Sequence, residues 1–560
     1  MHWSRNAICY QIYPASFKDS DGDGTGDLAG ILQNIDYLNG GTNSLGVNAV
    51  WLCPFYPSPM HDFGYDVEDF TGVNSLFGSM EIFEKLVKEL HARGINVIID
   101  FVGNHTSDKH PWFVEARSSR ESAKRDWYIW RDADPAIGLP NNWLSVFGGS
   151  AWELDQNSDQ YYFHSFLKQQ PDLNWRNTEV QEAMSAVVDF WVNKGVDGFR
   201  IDAFMHFVED KLFRDDPVNP LYRADAGKDP FESLIHIHSL GEMDRANIIG
   251  QFFTKIMARH PDILIVNEAY VGPTDLRRIH DICPNERFTV FNFNFISKPW
   301  DALEYKKAID EYLVGTQAHF LPNFVNGNHD VSRIVSRIGE AQARLSAFLQ
   351  FTLPGMPFVY YGEELGMTDA TIPPHAIRDT IAKLFGGTHK GRDPERTPMQ
   401  WNDSPHAGFM NTDTDADSGF RGKPWLPVND NYKTINVAHE LTDPQSMLSL
   451  YRNLINFRGR TEAIRFGRYV PVDSHSSDVL SFEIRNGTER LLVALNFSSN
   501  VARELIPQDI SSNTTTDTNT AASATLPAVI FSTANHINTA TLPRALELMP
   551  YEGYVVKLSE

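Results

Sequence analysis

The chain has 560 residues, of which 42% are apolar and 12% aromatic, and its formal net charge is −23 at pH 7. This composition excludes disordered and fibrous proteins, because the apolar residues suffice for a large core. The negative charge argues against nucleic acid or an anionic membrane surface as a partner, since both attract clustered Lys and Arg. A neutral substrate is compatible with it.

Cysteine content and hydropathy indicate the cellular location of the protein. The three cysteines are sparse and form no CxxC pair, so they predict neither a disulfide framework nor a zinc site. The N-terminal stretch lacks the apolar segment of a signal peptide, and no window approaches about 18 uninterrupted apolar residues. We therefore expect a cytoplasmic protein without a membrane segment.

Eight short runs rich in β-branched and aromatic residues recur along the chain. They begin at Ala7, Asn48, Ile95, Val196, Ile263, Phe288, Asn323 and Pro357. Amphipathic segments that end in glycine lie between several of them, for example from Ser79 and from Thr178, and are typical of helices. Strands that alternate with helices in this way predict an α/β fold, a (β/α)8 barrel.

Two insertions and a change of pattern divide the chain. A Trp-, Tyr- and Gly-rich stretch after the third run predicts a small inserted domain, and a second insertion at about 366–430 follows the eighth run. Near the C-terminus, apolar and polar residues alternate, which is typical of antiparallel strands. The predicted domains are the barrel at 1–103 and 175–460, the inserted domain at 104–174 and a C-terminal β-sandwich at 461–560.

Polar side chains follow four of the predicted strands at their C-terminal ends. They are Asp100, Asn104, His105, Arg200, Asp202, Glu268, Asn328, His329 and Asp330. These strand ends form one rim, where the active sites of barrels lie. Glycoside hydrolysis needs an acid that protonates the leaving oxygen and a carboxylate that stabilises the cationic sugar ring. Crowding raises the pKa of one carboxyl, while Arg200 is expected to keep Asp202 ionised. The rim therefore predicts glycoside hydrolysis.

Four stretches at this rim, DFVGNH, GFRIDAF, IVNEAY and NGNHD, resemble the signature regions of the α-amylase family of glycoside hydrolases, family 13. QPDLN, NNWLSVFGGSAW and GRDPERTPMQW resemble its α-glucosidase and oligo-1,6-glucosidase branch. The resemblance implies that Asp202 is the nucleophile, Glu268 the general acid/base and Asp330 the transition-state stabiliser. A retaining mechanism of this kind predicts that the Asp202 and Glu268 carboxyls lie about 5–5.5 Å apart.

The resemblance also implies a sugar-binding set around these carboxyls. Arg200 orients the nucleophile, and His105 and His329 bind the sugar in subsite −1, which holds the ring that is transferred to the nucleophile. Tyr65 stacks on this sugar, while Asp66 and Arg396 bind its 4-hydroxyl and close the pocket. The closed pocket predicts exo-acting cleavage.

Residues on the acceptor side indicate which bond is cleaved. Ala203, directly after the nucleophile, favours α-1,4 over α-1,6 bonds by resemblance, with simple packing as the alternative. Aromatic residues of the first insertion, including Trp143, Phe147 and Phe163, are candidates for an acceptor platform, and core packing is again the alternative.

The loop DSDGDGTGD from Asp19 carries acidic residues at alternate positions between glycines. Such oxygen-rich spacing suits a structural Ca²⁺ or Mg²⁺, and a metal-free turn is the alternative. The loop is similar to the metal loop after the first barrel strand of this branch. The similarity implies ligands from the side chains of Asp19, Asp21, Asp23 and Asp27 and the carbonyl of Thr25. No organic cofactor is implied.

Three functions remain open at this point. The first is an exo-acting retaining α-glucosidase that acts on short α-1,4 oligosaccharides such as maltose. The second is a transglycosylase or a trehalose synthase-like isomerase with the same catalytic residues. The third is a non-catalytic binding subunit that resembles transporter heavy chains, which the retained carboxylates disfavour. We expect a monomer or homodimer.

Overall fold

The computed structural model describes residues 2–223, 229–240, 242–314, 321–384, 390–410, 422–506, 528–533 and 545–558. Its strands are β1 (Cys9–Ile12), β2 (Ala49–Leu52), β3 (Asn96–Phe101), β4 (Trp130–Arg131), β5 (Trp152–Asp155), β6 (Gln160–Phe163), β7 (Gly198–Ile201), β8 (Leu264–Asn267), β9 (Phe288–Val290), β10 (Phe358–Tyr360), β11 (Arg468–Pro471), β12 (Val479–Asn486), β13 (Glu489–Asn496), β14 (Ala502–Leu505), β15 (Ala528–Ser532), β16 (Ala545–Leu548) and β17 (Gly553–Lys557).

The α-helices are α1 (Pro14–Phe17), α2 (Leu28–Gln33), α3 (Ile35–Leu38), α4 (Met80–Ala92), α5 (Pro111–Ala116), α6 (Thr178–Asn193), α7 (Glu242–Arg259), α8 (Pro273–Ile282), α9 (Asn294–Ser297), α10 (Ala302–Leu313), α11 (Ile334–Ile338), α12 (Glu340–Thr352), α13 (Thr380–Leu384), α14 (Val437–Glu440), α15 (Met447–Arg460) and α16 (Glu462–Phe466). The two helices predicted from Ser79 and Thr178 are confirmed as α4 and α6. Each is capped by a side chain, Ser79 Oγ on the Ile82 amide and Asn177 Oδ1 on the Glu179 amide.

The barrel is built from parallel strands in the order β10-β1-β2-β3-β7-β8-β9. The predicted run from Asn323 lies between β9 and β10, but it forms no regular strand ladder: one parallel bridge joins Val325 to Phe358, and the Val325 amide donates to the carbonyl of Asn292, just after β9. The Asn323 side chain takes over part of the strand pairing, because it accepts from the Asn292 amide at 3.0 Å and donates to the Val290 carbonyl at 2.7 Å. The eight predicted runs therefore form a (β/α)8 barrel with one irregular strand.

The first insertion contains a three-stranded antiparallel sheet in the order β4-β6-β5. One antiparallel bridge, His105 to Asp172, brings the start of the insertion to its end, and a second joins Tyr128 to Leu173. Because His105 comes soon after the last residue of β3, Phe101, the insertion begins at the C-terminal rim of the barrel. Its limits at 104–174, like the other domain boundaries, stay predictions.

The C-terminal part is an antiparallel β-sandwich. One sheet has the order β11-β12-β13-β17-β15, and the other is the pair β14-β16. Val479 and Leu492 of the first sheet pack against Leu546 and Leu548 of the second. Within the part of the chain that the structure describes, no helix has the length and apolarity that crossing a bilayer requires.

Candidate active site

A cavity of about 500 Å³ opens at the C-terminal rim of the barrel. The three predicted catalytic carboxyls line it together, Asp202 directly after β7, Glu268 directly after β8, and Asp330 after the irregular strand. They converge because parallel strands carry their C-terminal residues to one edge. The site therefore combines three acidic groups within a volume that suits a small ligand.

Arg200 joins two of these carboxyls. Its Nη1 lies 2.6 Å from Oδ1 of Asp202, and its Nη2 lies 2.6 Å from Oε1 of Glu268. Nη1 also donates to Asp100, which in turn accepts from Trp51 Nε1 at 2.7 Å. Since the planar guanidinium carries its donors in a fixed fork, Asp202 and Glu268 are held as neighbours in one orientation.

Burial governs the protonation of this pair. It raises the pKa of Asp202 to about 7, although the charge of Arg200 acts in the opposite direction. Burial likewise raises the pKa of Glu268 to about 7, with Arg200 opposing and the charge of Asp202 adding to the rise. The charge of Arg200 favours the ionised form of Asp202, as expected, but it does not fully offset the effect of burial on this pKa. Near neutral pH, the two carboxyls titrate as one coupled pair.

Asp330 behaves in the opposite way. Burial opposes its ionisation, but the positive charges of Arg396 and Arg392 outweigh burial and hold the pKa of this carboxyl well below its usual range, and the neighbouring His329 acts in the same direction. Nη2 of Arg396 lies 2.7 Å from Oδ1 of Asp330, and Nη1 of Arg392 lies 3.3 Å from the same oxygen. Asp330 is therefore a fixed negative charge in the pocket.

The predicted pairing of Asp66 with Arg396 is wrong. Asp66 is fully buried and accepts from Ser58 Oγ and the amides of His61 and Asp62, at 2.9 to 3.0 Å, so it holds its own loop together. Arg396 binds Asp330 and the carbonyl of His329 instead. Neither Asp66 nor Arg396 lines the cavity.

Asp62 and Arg392, each four positions earlier in the same loop, line the cavity instead. Oδ1 of Asp62 lies 2.7 Å from Nη2 of Arg392, which also binds Asp379 at 2.9 Å. Gln170, from the QPDLN stretch, donates to Asp62 at 3.1 Å. The motif GRDPERTPMQW contained the signal for Arg392, but the sequence offered two arginines four residues apart and no basis for choosing between them.

The predicted sugar-binding residues Tyr65, His105 and His329 all line the cavity. Tyr65 Oη lies 2.7 Å from Nε2 of His329, and the two rings stack at 5.5 Å. Burial lowers the pKa of His105 to about 4, so its ring is neutral, and its Nε2 lies 3.1 Å from the Tyr65 carbonyl oxygen.

Ala203 lines the cavity and adopts an unusual backbone conformation. Its φ of 48° and ψ of 38° lie in the left-handed region, which residues other than glycine rarely occupy. In this conformation its amide donates to Oε2 of Glu268 at 3.0 Å. The residue after the predicted nucleophile therefore positions the predicted acid.

The aromatic residues of the first insertion divide into two groups. Phe147 lines the cavity, together with Phe166, which the sequence analysis did not single out. Phe163 and Trp143 do not line it, because they pack with Trp152 in the core of the insertion. Phe163 as an acceptor-site residue is therefore wrong, since its position on β6 points it into that core.

The acidic loop after β1 gathers three carboxylates. Asp19, Asp21 and Asp27 each offer an oxygen atom, and these atoms lie within 4.8 Å of one another. Burial raises the pKa of Asp19 to about 6, so a nearby cation would favour its ionised form. Asp23 lies outside this group, and its Oδ1 accepts from the Thr25 amide at 2.7 Å. The carboxylate set fits a hard divalent cation.

Comparisons with known proteins agree with this geometry. Residues 11–467 match the family model of the alpha amylase catalytic domain. A probable alpha-glucosidase of Rhizobium meliloti is 37% identical over 521 residues, which cover 90% of this chain and 91% of that protein. An oligo-1,6-glucosidase of Parageobacillus thermoglucosidasius is 35% identical over 551 residues, which cover 91% and 92% of the two chains.

Among solved structures, an alpha-glucosyl transfer enzyme aligns with a TM-score of 0.87 at 33% identity, covering 100% of this chain and 99% of that chain. The family model spans most of the chain, and these relatives align over nearly their whole length. The protein is therefore an enzyme of the alpha-amylase family, glycoside hydrolase family 13.

Proposed function

We propose that the protein is an exo-acting retaining α-glucosidase, which releases glucose from the non-reducing end of short α-1,4-linked glucosides such as maltose. The observation that carries this proposal is a cavity lined by two carboxyls, which Arg200 holds side by side, and by the ion pair of Asp62 with Arg392. A small cavity with these groups suits one terminal sugar ring better than the middle of a long chain.

Two displacements account for retention. Protonated Glu268 donates its proton to the glycosidic oxygen while Asp202 attacks C1, so the C1–O bond breaks and a glucosyl-Asp202 ester forms. Glu268, now ionised, then removes a proton from water, whose oxygen attacks C1 and releases Asp202. Because the pKa values of both carboxyls lie at about 7, the pair near neutrality supplies one acid and one carboxylate.

Asp330 and the ion pair of Asp62 with Arg392 complete the proposed assignment. The ionised Asp330 stabilises the positive charge that develops on the sugar ring. Asp62 and Arg392 would receive the hydroxyls of the terminal glucose, since a paired acid and arginine offer both acceptors and donors. An additional sugar unit beyond this ion pair would have to break it, which supports exo-acting cleavage.

Product analysis tests this proposal. With maltose or maltotriose, proton NMR in the first minutes is expected to show α-glucose as the released sugar, because two inversions at C1 restore the α configuration. A panel with isomaltose, sucrose and trehalose tests the α-1,4 preference that Ala203 supports. Initial β-glucose would refute the retaining mechanism, and faster cleavage of isomaltose than of maltose would refute the linkage assignment.

Transglucosylation is a second candidate function. It is supported by the similarity to an alpha-glucosyl transfer enzyme and by apolar residues that line the cavity, which include Phe147, Phe166 and Met205. Such a wall favours a bound acceptor over water at the glucosyl-Asp202 ester. At high maltose concentration, two rates are then compared: the formation of trisaccharides, and the accumulation of glucose in excess of the trisaccharides. Transglucosylation predicts that the first rate is the higher.

A structural Ca²⁺ or Mg²⁺ in the acidic loop is a further part of the proposal. We expect either cation to raise the melting temperature, since a ligand at 100 times its Kd stabilises the folded state by about 2.7 kcal/mol. Asp21→Asn is expected to remove this shift with little damage to the loop, because Asp21 is exposed and the asparagine Oδ1 can still accept from the Asp23 amide. Asp19 is less suitable, since it is buried and accepts from the amides of Gly22 and Gly24. Differential scanning calorimetry with and without chelator measures the shift.

The matched control for the metal experiment is Asp473→Asn, an exposed carboxylate in the C-terminal part. Its metal-dependent shift is expected to equal that of the unmodified protein. The loop does not bind a structural cation if neither Ca²⁺ nor Mg²⁺ changes the melting temperature of the chelator-treated protein.

A further inference from the structure

A line of hydrogen bonds runs from the barrel interior to His329. The Gln11 side chain projects from β1 and is only 2% exposed. Its Nε2 lies 2.9 Å from Nδ1 of His329 and 3.3 Å from Sγ of Cys53. Because an amide nitrogen carries two hydrogens and accepts none, Gln11 donates to both atoms. Nδ1 of His329 therefore accepts and carries no proton.

The other ring nitrogen faces a hydroxyl and a carboxylate. Nε2 of His329 lies 2.7 Å from Tyr65 Oη and 3.3 Å from Oδ2 of Asp330. Burial lowers the pKa of His329 well below its ordinary value, so the ring is neutral and has a single N–H. With Nδ1 occupied as an acceptor, this N–H is on Nε2, where the ionised Asp330 favours it.

We propose that Gln11 is a positioning residue that holds His329 in its neutral, Nε2-protonated tautomer, so that this N–H faces the sugar in subsite −1. The inference rests on the proposed function, because it places a sugar in this cavity. The opposite tautomer would turn a lone pair towards the Asp330 carboxylate. The ring does not rotate to compensate, because Tyr65 stacks on it and Trp51 packs against it edge-on at 6.0 Å.

The orientation of this N–H affects the chemical step more than the binding of the ground state. Sugar hydroxyls become stronger hydrogen-bond partners as positive charge develops on the ring, so an N–H aimed at them contributes most in the transition state. A wrong tautomer costs about 10⁴-fold where the histidine is itself the base. Since His329 would only bind the sugar, we expect a smaller loss, about ten- to a hundred-fold in kcat.

Neutron diffraction of deuterium-exchanged crystals of the full chain tests the tautomer directly. We expect deuterium on Nε2 of His329 and none on Nδ1. Deuterium on Nδ1 would overturn the inference, since Gln11 would then present its carbonyl oxygen to the ring. This measurement needs no substrate, so it decides the tautomer even if the protein fails to release glucose from any sugar of the panel, which would refute the proposed function alone.

Kinetics test the consequence. Gln11→Met keeps a side chain of similar length without a donor, and we expect kcat on 4-nitrophenyl α-glucoside to fall about ten- to a hundred-fold while KM changes less than about threefold. Cys53→Ser, the control, alters the other partner of the same amide and is expected to keep the kcat of the unmodified enzyme. A folded Gln11→Met variant with unchanged kcat would overturn the inference. If that variant does not fold, the neutron map of the unmodified protein still decides it.

Discussion

Replacing Asp202 with asparagine is expected to lower kcat on 4-nitrophenyl α-glucoside by about four orders of magnitude or more, since the loss of a nucleophile removes the covalent pathway. The amide is nearly the same size and can still accept from Arg200, so the fold and the cavity should persist. Circular dichroism and a melting curve check that the variant is folded. A variant that retains more than about a tenth of the activity would contradict the assignment of Asp202 as the nucleophile.

Azide rescue separates the nucleophilic role from a general loss of activity. In Asp202→Ala, the shortened side chain leaves room for azide on the face of the sugar from which Asp202 attacks. With α-glucosyl fluoride as substrate, azide displaces fluoride in a single step, and we expect β-glucosyl azide because one displacement inverts C1. Release of α-glucosyl azide by this variant would mean that another group forms the covalent intermediate.

Replacing Glu268 with glutamine is expected to reduce the cleavage of maltose by about 10²- to 10⁴-fold, the usual contribution of a general acid. The proposed role of Glu268 requires its protonated form, so kcat/KM of the unmodified enzyme should fall as the pH rises through an apparent pKa near 7, a value that belongs to the coupled pair. The introduced amide cannot ionise, and this alkaline limb should disappear in the variant. Initial rates on maltose from pH 5 to pH 9, on the order of ten points, measure both effects.

The leaving group and a matched control make this test specific. With α-glucosyl fluoride, whose leaving group needs little protonation, the first displacement should survive in Glu268→Gln, and the glucosyl-enzyme should accumulate. Glu440→Gln is the matched change, because Glu440 is also buried with a pKa raised to about 8 by burial but does not line the cavity. Glu268 is not the acid if its variant keeps the alkaline limb or if Glu440→Gln loses it.

Periodicity was sufficient to predict the barrel, because buried parallel strands are short, apolar and separated by helices. The prediction was incomplete at Asn323, where a side-chain amide replaces backbone pairing with β9. Nothing in the alternation of apolar and polar residues distinguishes an asparagine that pairs through its side chain from one at a strand end. The positions of Asp202, Glu268 and Asp330 at one rim followed from the strand order itself.

The errors in the site concern loops and burial. Asp62 and Asp66, like Arg392 and Arg396, are four residues apart in segments that contain no long helix or strand, so no periodicity tells which member faces the cavity. The pKa of Asp202 depends on how deeply the carboxyl is buried, a quantity that neighbouring sequence letters do not contain. Phe163 was misplaced for a similar reason, since Phe166 lies three residues further on and only the course of β6 decides between them.

Ala203 unites two properties of the enzyme in one residue. It lines the cavity, where the resemblance implies an effect on the preferred linkage, and its left-handed amide donates to Glu268. A β-branched replacement is strained in that conformation and would shift the amide as well as narrow the cavity. A substitution of Ala203 that changes the preferred bond is therefore expected to change the pKa of Glu268 as well. Linkage preference and optimum pH should therefore change together in variants of this residue, and variants that alter only one of the two should be rare.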